Sequence, residues 1–167
     1  MGVEIAFRAE GIKALVVDDN KVNTMVVASM LEQFSIPVTE VYSGKEAIEK
    51  ERLEDFDIIF MDYLMPEMNG IEATEEIRKL GKTKRPIIVA LSANETKELK
   101  GRFEQAGVDD VMVKPLGLEG VCHILQKWFP DKTIESDGCF KKEQDSEKSA
   151  LLEAFSTIDE LDVKKGL

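Results

Sequence analysis

Phe56-Asp57-Ile58-Ile59-Phe60-Met61-Asp62-Tyr63-Leu64-Met65-Pro66-Glu67-Met68-Asn69-Gly70 opens with an apolar, β-branched run that stops at an aspartate, and apolar residues at helical spacing follow over Ile71 to Leu80. Such a run reads as a strand and its continuation as a helix. The alternation recurs in both directions along the chain. Strands are also expected at Lys13 to Val17, Val38 to Tyr42, Pro86 to Leu91 and Asp109 to Val113, with helices over Val22 to Phe34, Ala47 to Leu53, Leu99 to Ala106 and Leu118 to Phe129. Strands alternating with helices imply parallel pairing, right-handed crossovers and strands buried on both faces. The expected fold class is α/β: a (βα)5 doubly wound parallel five-stranded sheet in a three-layer sandwich.

The chain has 167 residues, enough for one domain with its own core and an appendage. The expected division is a leader at residues 1–10, a domain at 11–130, a polar linker at 131–149 and a helical tail at 150–167. Lys and Arg total 22 against 33 Asp and Glu, a net charge of -11. Attraction to a phosphate backbone has nothing to work with, so no nucleic-acid partner is expected. The longest apolar runs fall far short of the roughly 20 residues that span a bilayer, and the acidic start lacks the pattern of a secretory signal. The expected setting is cytoplasmic, without direct membrane contact. Cys122 and Cys139, the only cysteines, indicate no disulfide framework and are read as reduced; they and the lone His123 are read as structural or surface residues.

In a sheet of this kind, functional groups gather outside the carboxyl ends of the strands. The first strand ends in Asp18 and Asp19, the third in Asp62, the fourth in Ser92, and Lys114 follows the fifth. Three converging carboxylates either raise a pKa or recruit a cation, and an all-oxygen cluster suits Mg²⁺. A nucleophilic carboxylate, a divalent metal, a hydroxyl and an ammonium are what in-line phosphoryl transfer to an aspartate requires. Taken singly, Asp18 and Asp19 could be helix caps, Ser92 another cap and Lys114 a solvated cation. Their joint placement on one edge points to a site.

Val16-Val17-Asp18-Asp19-Asn20, Met61-Asp62 through Asn69-Gly70, Leu91-Ser92-Ala93 and Lys114-Pro115, with the spacing between them, resemble response-regulator receiver domains over about Gly11 to Phe129. That resemblance implies a flavodoxin-like fold and makes residues 11–130 the receiver. It implies that Asp62 accepts a phosphoryl group from a phosphohistidine on a partner, either a histidine kinase or a histidine phosphotransfer domain. Mg²⁺, with Mn²⁺ as a substitute, would be held by Asp19, Asp62 and the backbone carbonyl of Leu64, with Asp18 acting through water. Ser92 and Lys114 would grip the phosphoryl oxygens, and the Lys114-Pro115 bond would be cis. Self-phosphotransfer and autodephosphorylation would be the chain's own activities, with Leu64 and Asn94 tuning access of the hydrolytic water and so the lifetime of the phosphate.

Asp18-Asp19-Asn20 followed by Asn23 is similar to receivers of hybrid histidine kinases, which would make the chain the cytoplasmic part of a membrane-bound sensor. Ile158 through Leu167 is similar to the opening of a histidine phosphotransfer domain; a helix that packs on the receiver is the other reading of that tail. Val111 stands where the family commonly carries Tyr or Phe, so the usual aromatic report of phosphorylation is not available to this chain. Two rival functions were weighed. A phosphatase with an aspartate nucleophile would show a second Asp where Leu64 stands, and dinucleotide binding would need glycines where Asp18-Asp19-Asn20-Lys21 stands. The alternative within the family is a degenerate receiver, a protein-interaction module that is never phosphorylated.

Overall fold

Among the described residues, four of the five helices start where a short polar side chain can satisfy their free N–H groups, and the helix at Leu118–Trp128 starts at Gly117 without one. Asn20 accepts from Val22 and Asn23, Ser43 from Glu46 and Thr96 from Leu99, while Asn69 and Glu72 form a reciprocal capping box. The computed structural model describes residues 7–9, 11–130 and 133–135. In chain order it contains β1 (Phe7–Ala9), β2 (Ala14–Val17), α1 (Lys21–Gln33), β3 (Val38–Val41), α2 (Gly44–Leu53), β4 (Ile58–Asp62), α3 (Gly70–Lys79), β5 (Ile87–Ser92), α4 (Lys97–Ala106), β6 (Asp110–Val113), α5 (Leu118–Trp128) and β7 (Thr133–Glu135).

Strands β2 to β6 form one sheet in the order β3-β2-β4-β5-β6, every pairing parallel. The expected (βα)5 sheet is therefore present. The chain moves outward from β2 to β3, then crosses back over β2 to β4, so the connections after β2 and β4 leave in opposite directions and open a crevice at the carboxyl edge. All five residues of β4 are buried, as are the four of β2, because helices cover both faces of a parallel sheet. One side of the core gathers Leu15, Ile59, Met61, Ile77, Ile88 and Phe103.

Two short strands differ from expectation. β1 and β7 pair as a separate two-stranded sheet, although they lie in the stretches read as leader and linker. The helical tail expected at 150–167, with its likeness to a phosphotransfer domain, lies outside the described residues. Cys122, buried in α5, is disulfide-bonded rather than a free thiol, contrary to the reading of reduced cysteines; its partner is outside the described residues. Among the described residues no helix is long and apolar enough to cross a membrane.

The amino edge of the sheet is tied together by one side chain. Arg78, in the last turn of α3, donates through Nε and Nη2 to the Gly107 carbonyl at 3.0 and 2.8 Å, through Nη1 to the Pro86 carbonyl at 2.8 Å, and through Nη2 to Asp109 Oδ2 at 2.8 Å. Asp109 Oδ2 also accepts the Ile88 N–H at 2.9 Å. One guanidinium thus joins α3, the start of β5 and the turn before β6. Arg78→Met should lower stability by about 2 kcal/mol, since it removes the donor of the Gly107 and Pro86 carbonyls and leaves the largely buried Asp109 to Arg85 and the Ile88 N–H alone. Urea unfolding of the variant checks this.

Candidate functional site

Sheet register decides which side chains meet. Val17 of β2 is level with Met61 of β4, so Asp18 and Asp62 follow side by side. Asp62 is level with Leu91, which brings Ser92 one step beyond it, and Ser92 is level with Val113, which does the same for Lys114. Four adjoining strand ends thus present a row of carboxylate, carboxylate, hydroxyl and ammonium. Backbone bonds hold the row: Tyr63 N–H donates to the Leu91 carbonyl at 3.0 Å, and Lys114 N–H to the Ser92 carbonyl at 2.8 Å.

Asp18 and Asp62 are buried, while Asp19 is exposed at the mouth. One oxygen from each of the three lies within 4.8 Å of the others. Lys114 Nζ donates to Asp62 Oδ1 at 2.7 Å and stands 3.8 Å from Asp18 Oδ2. A cleft of about 160 Å³ opens beside Asp62, lined by Leu64, Ser92, Asn94 and Lys114 among others. All of the sequence-predicted site residues therefore meet at one edge. The side chain of Leu64 points to solvent, 69% exposed, which leaves its backbone as the part that can serve the site. The Lys114-Pro115 bond is cis.

Ser92 and Asn94 are locally coupled. Ser92 Oγ donates to the Asn94 carbonyl at 2.5 Å and accepts the Asn94 N–H at 3.3 Å, so the hydroxyl is engaged by its own loop. Val111 is half-buried in β6, with no ring to report on that loop. An aromatic side chain does adjoin Asp62: Tyr63 stands edge-on to Phe103 of α4 at 5.3 Å, and Arg102 Nη1 donates to its hydroxyl at 3.2 Å. Sequence reading did not single out Tyr63 because position within the fold, not residue type, gives it this contact.

Gly70 was also passed over. Its N–H donates to the Tyr63 carbonyl at 2.8 Å, and a Cβ there would press on the Asp62 carbonyl and come 3.1 Å from Tyr63 Cα. Only glycine lets α3 start this close to the acceptor strand. The signal was available, as a glycine directly after the cap residue Asn69 and at fixed distance from Asp62.

Burial pushes the Asp62 carboxyl above its ordinary value of 3.8; the Lys114 hydrogen bond pulls it down, and the charge of Asp18 pushes it up again. For Lys114 burial works downward, but its hydrogen bond to Asp62 and the surrounding carboxylates raise it above its ordinary 10.5. With Asp62 raised, the folded chain holds a proton that the unfolded chain has released. That contribution to stability is complete below the unfolded pKa and is lost as pH rises through the folded one. In chelator, Asp62→Asn should therefore resist urea better than the native chain at about pH 7, and the gain should shrink toward about pH 4. A less stable variant at pH 7 would mean that the Lys114 bond outweighs burial.

Residues 14–126 match the family described as the response regulator receiver domain. The chain is 42% identical over 136 residues to the two-component response regulator ORR42 of Oryza sativa subsp. japonica, covering 79% of this chain and 99% of that protein. Against the autoinducer 2 sensor kinase/phosphatase LuxQ of Vibrio vulnificus it is 38% identical over 107 residues, covering 64% of this chain but 12% of that far longer one. The structure resembles the receiver domain of sensor histidine kinase PA1611 from Pseudomonas aeruginosa, which has a magnesium ion in its active-site cleft, at TM-score 0.65 and 34% identity, covering 72% of this chain and 99% of that one. It also resembles the Saccharomyces cerevisiae Ssk1 receiver domain, crystallised with the histidine phosphotransfer protein Ypd1, at TM-score 0.66 and 26% identity, covering 78% of this chain and 97% of that one. By its strand register, its acidic edge and these matches, the chain belongs to the response regulator receiver domain family.

Proposed function

We propose that Asp62 is the phosphoacceptor, taking a phosphoryl group from a phosphohistidine on a histidine kinase or a histidine phosphotransfer protein. The observation that carries this is Lys114 Nζ at 2.7 Å from Asp62 Oδ1, beside three carboxylates that share one 4.8 Å cluster. A carboxylate oxygen of Asp62 attacks phosphorus; the P–N bond breaks in line, and its electron pair returns to the imidazole of the partner. Lys114 steadies the charge on the transferring group, and Ser92, released from the Asn94 carbonyl, donates to a phosphoryl oxygen. The cleft of about 160 Å³ is lined by both Asp62 and Ser92 and has room for such a group.

The donor set fits a hard divalent cation, being all oxygen, with two buried carboxylates and one exposed. Asp19, Asp62 and the backbone carbonyl of Leu64 are assigned as direct ligands of Mg²⁺, or of Mn²⁺ in its place, and Asp18 as a ligand through water. When bound, the ion would supply positive charge to the phosphoryl oxygens and favour the ionised form of Asp62. Loss of phosphate to water would return the acceptor to its resting state, with exposed Leu64 and Asn94 at the entrance.

The partner's seat is assigned to α1. Val22, Met25 and Val26 are 64%, 60% and 49% exposed there, and Val26 lines a cleft of about 270 Å³ with Asp18, Lys114, Pro115 and Leu116. An apolar face adjoining the acceptor is suited to a helical donor that must bring its imidazole to Asp62. A cytoplasmic setting and membership of a hybrid sensor kinase accompany this proposal. The degenerate-receiver alternative is not favoured, since every group needed for transfer is present and convergent.

Three outcomes are expected from mass measurement after incubation with Mg²⁺ and a small phosphodonor. The native chain should gain one phosphoryl group, Asp62→Asn should gain none, and Lys114→Ala should gain it roughly 100-fold more slowly. No gain by the native chain, while another receiver is labelled in parallel, would return the interaction-module reading. Met25→Asp should leave labelling by the small donor unchanged but slow transfer from a phosphohistidine protein by about tenfold, the effect of losing one apolar anchor.

A further inference from the structure

Asp18 has two oxygens and three neighbours that compete for them. Oδ1 accepts the Asn20 N–H at 2.9 Å, and Oδ2 accepts from Asn23 Nδ2 at 3.1 Å. The same Oδ2 faces Lys114 Nζ at 3.8 Å, while that ammonium sits 2.7 Å from Asp62. Asn23 stands in the first turn of α1, with its N–H 3.4 Å from Asn20 Oδ1. Asn20 caps the helix, so the side-chain amide of Asn23 goes to Asp18 instead.

We infer that Asn23 is a positioning residue of the phosphotransfer site: by occupying Asp18 Oδ2 it fixes the plane of that carboxylate toward the cation cluster and leaves Lys114 to Asp62. The inference rests on the receiver reading given above. An amide suits the task because it donates a hydrogen bond without bringing charge. A cation at this place would repel a metal ion, and an anion would add a fourth carboxylate to a crowded cluster. Without Nδ2, Asp18 is held only at Oδ1, by the Asn20 N–H, and Oδ2 can turn about that bond and close the gap to Lys114. The ammonium is then shared between two aspartates, and the cluster loses its orientation toward a metal.

The test uses the full chain with Asn23→Ala and Asn23→Asp; the residue is exposed on α1, and only its backbone N–H, which neither substitution removes, joins the cap. Mg²⁺ affinity is measured by calorimetry, and phosphorylation by a small donor is measured at saturating Mg²⁺. For Asn23→Ala, Mg²⁺ binding is expected to weaken about tenfold, as when a partner that orients a metal ligand is removed, and labelling should remain slow even when the metal is saturating. Asn23→Asp separates charge from orientation: it should bind Mg²⁺ at least as tightly as the native chain and still be labelled slowly. If Asn23→Ala matches the native chain within twofold in both measurements, Asn23 does not position the site. If the native chain itself neither binds Mg²⁺ nor is labelled, the receiver reading falls and takes this inference with it.

Discussion

Lys114 on Asp62 is the contact on which the carboxyl edge depends. Parallel register forces Asp18 and Asp62 into adjacent, buried places, where two carboxylates repel each other in a medium that screens poorly. One ammonium at 2.7 Å from the first and 3.8 Å from the second compensates part of that repulsion without neutralising the cluster. What remains is an edge with surplus negative charge, open at Asp19 and at the cleft beside Asp62. Such an edge is held under tension, and its natural relief is a divalent cation or a bound phosphoryl group with its cation.

The surrounding structure serves to keep that row in place. Strand ends are clamped to one another through Tyr63 and Leu91, and through Lys114 and Ser92. Helix starts sit just beyond them: the Asn20 cap sets α1 above Asp18, and the Asn69–Glu72 box with Gly70 sets α3 against the acceptor strand. At the far edge, Arg78 joins α3 to the β5 and β6 entries, so the strands that lead to Ser92 and Lys114 are fixed at both ends. A site built on strand ends is as rigid as the sheet beneath it, whereas Ser92 and its bond to Asn94 lie on a loop that can rearrange.

Tyr63 gives the acceptor a second connection. It follows Asp62 directly, its backbone is tied to β5 and to Gly70, and its ring and hydroxyl touch Phe103 and Arg102 of α4. With Val111 carrying no ring, α4 still has an aromatic contact that begins at Tyr63, directly after Asp62. The chain thus combines a complete row of charged and hydroxyl groups at its strand ends with a direct side-chain link from that row to α4.

The fold was legible because its signals are local. Apolar β-branched runs of strand length and helical spacing between them specified five strands and five helices close to where they stand, and strand ends marked Asp18, Asp62, Ser92 and Lys114. β1 and β7 were not legible, since each is three residues without an apolar run and is recognisable only through its partner far along the chain. Arg78 in isolation looks like a solvated helix residue, and its four bonds go to groups brought near by the sheet. The sequence by itself determined which chemical groups stand at the carboxyl edge, because that follows from the order of residues along each strand. Only the tertiary structure decided that Lys114 sides with Asp62 rather than Asp18 and that Asn23 holds the latter, because those choices depend on register and on ångström differences between segments distant in the chain.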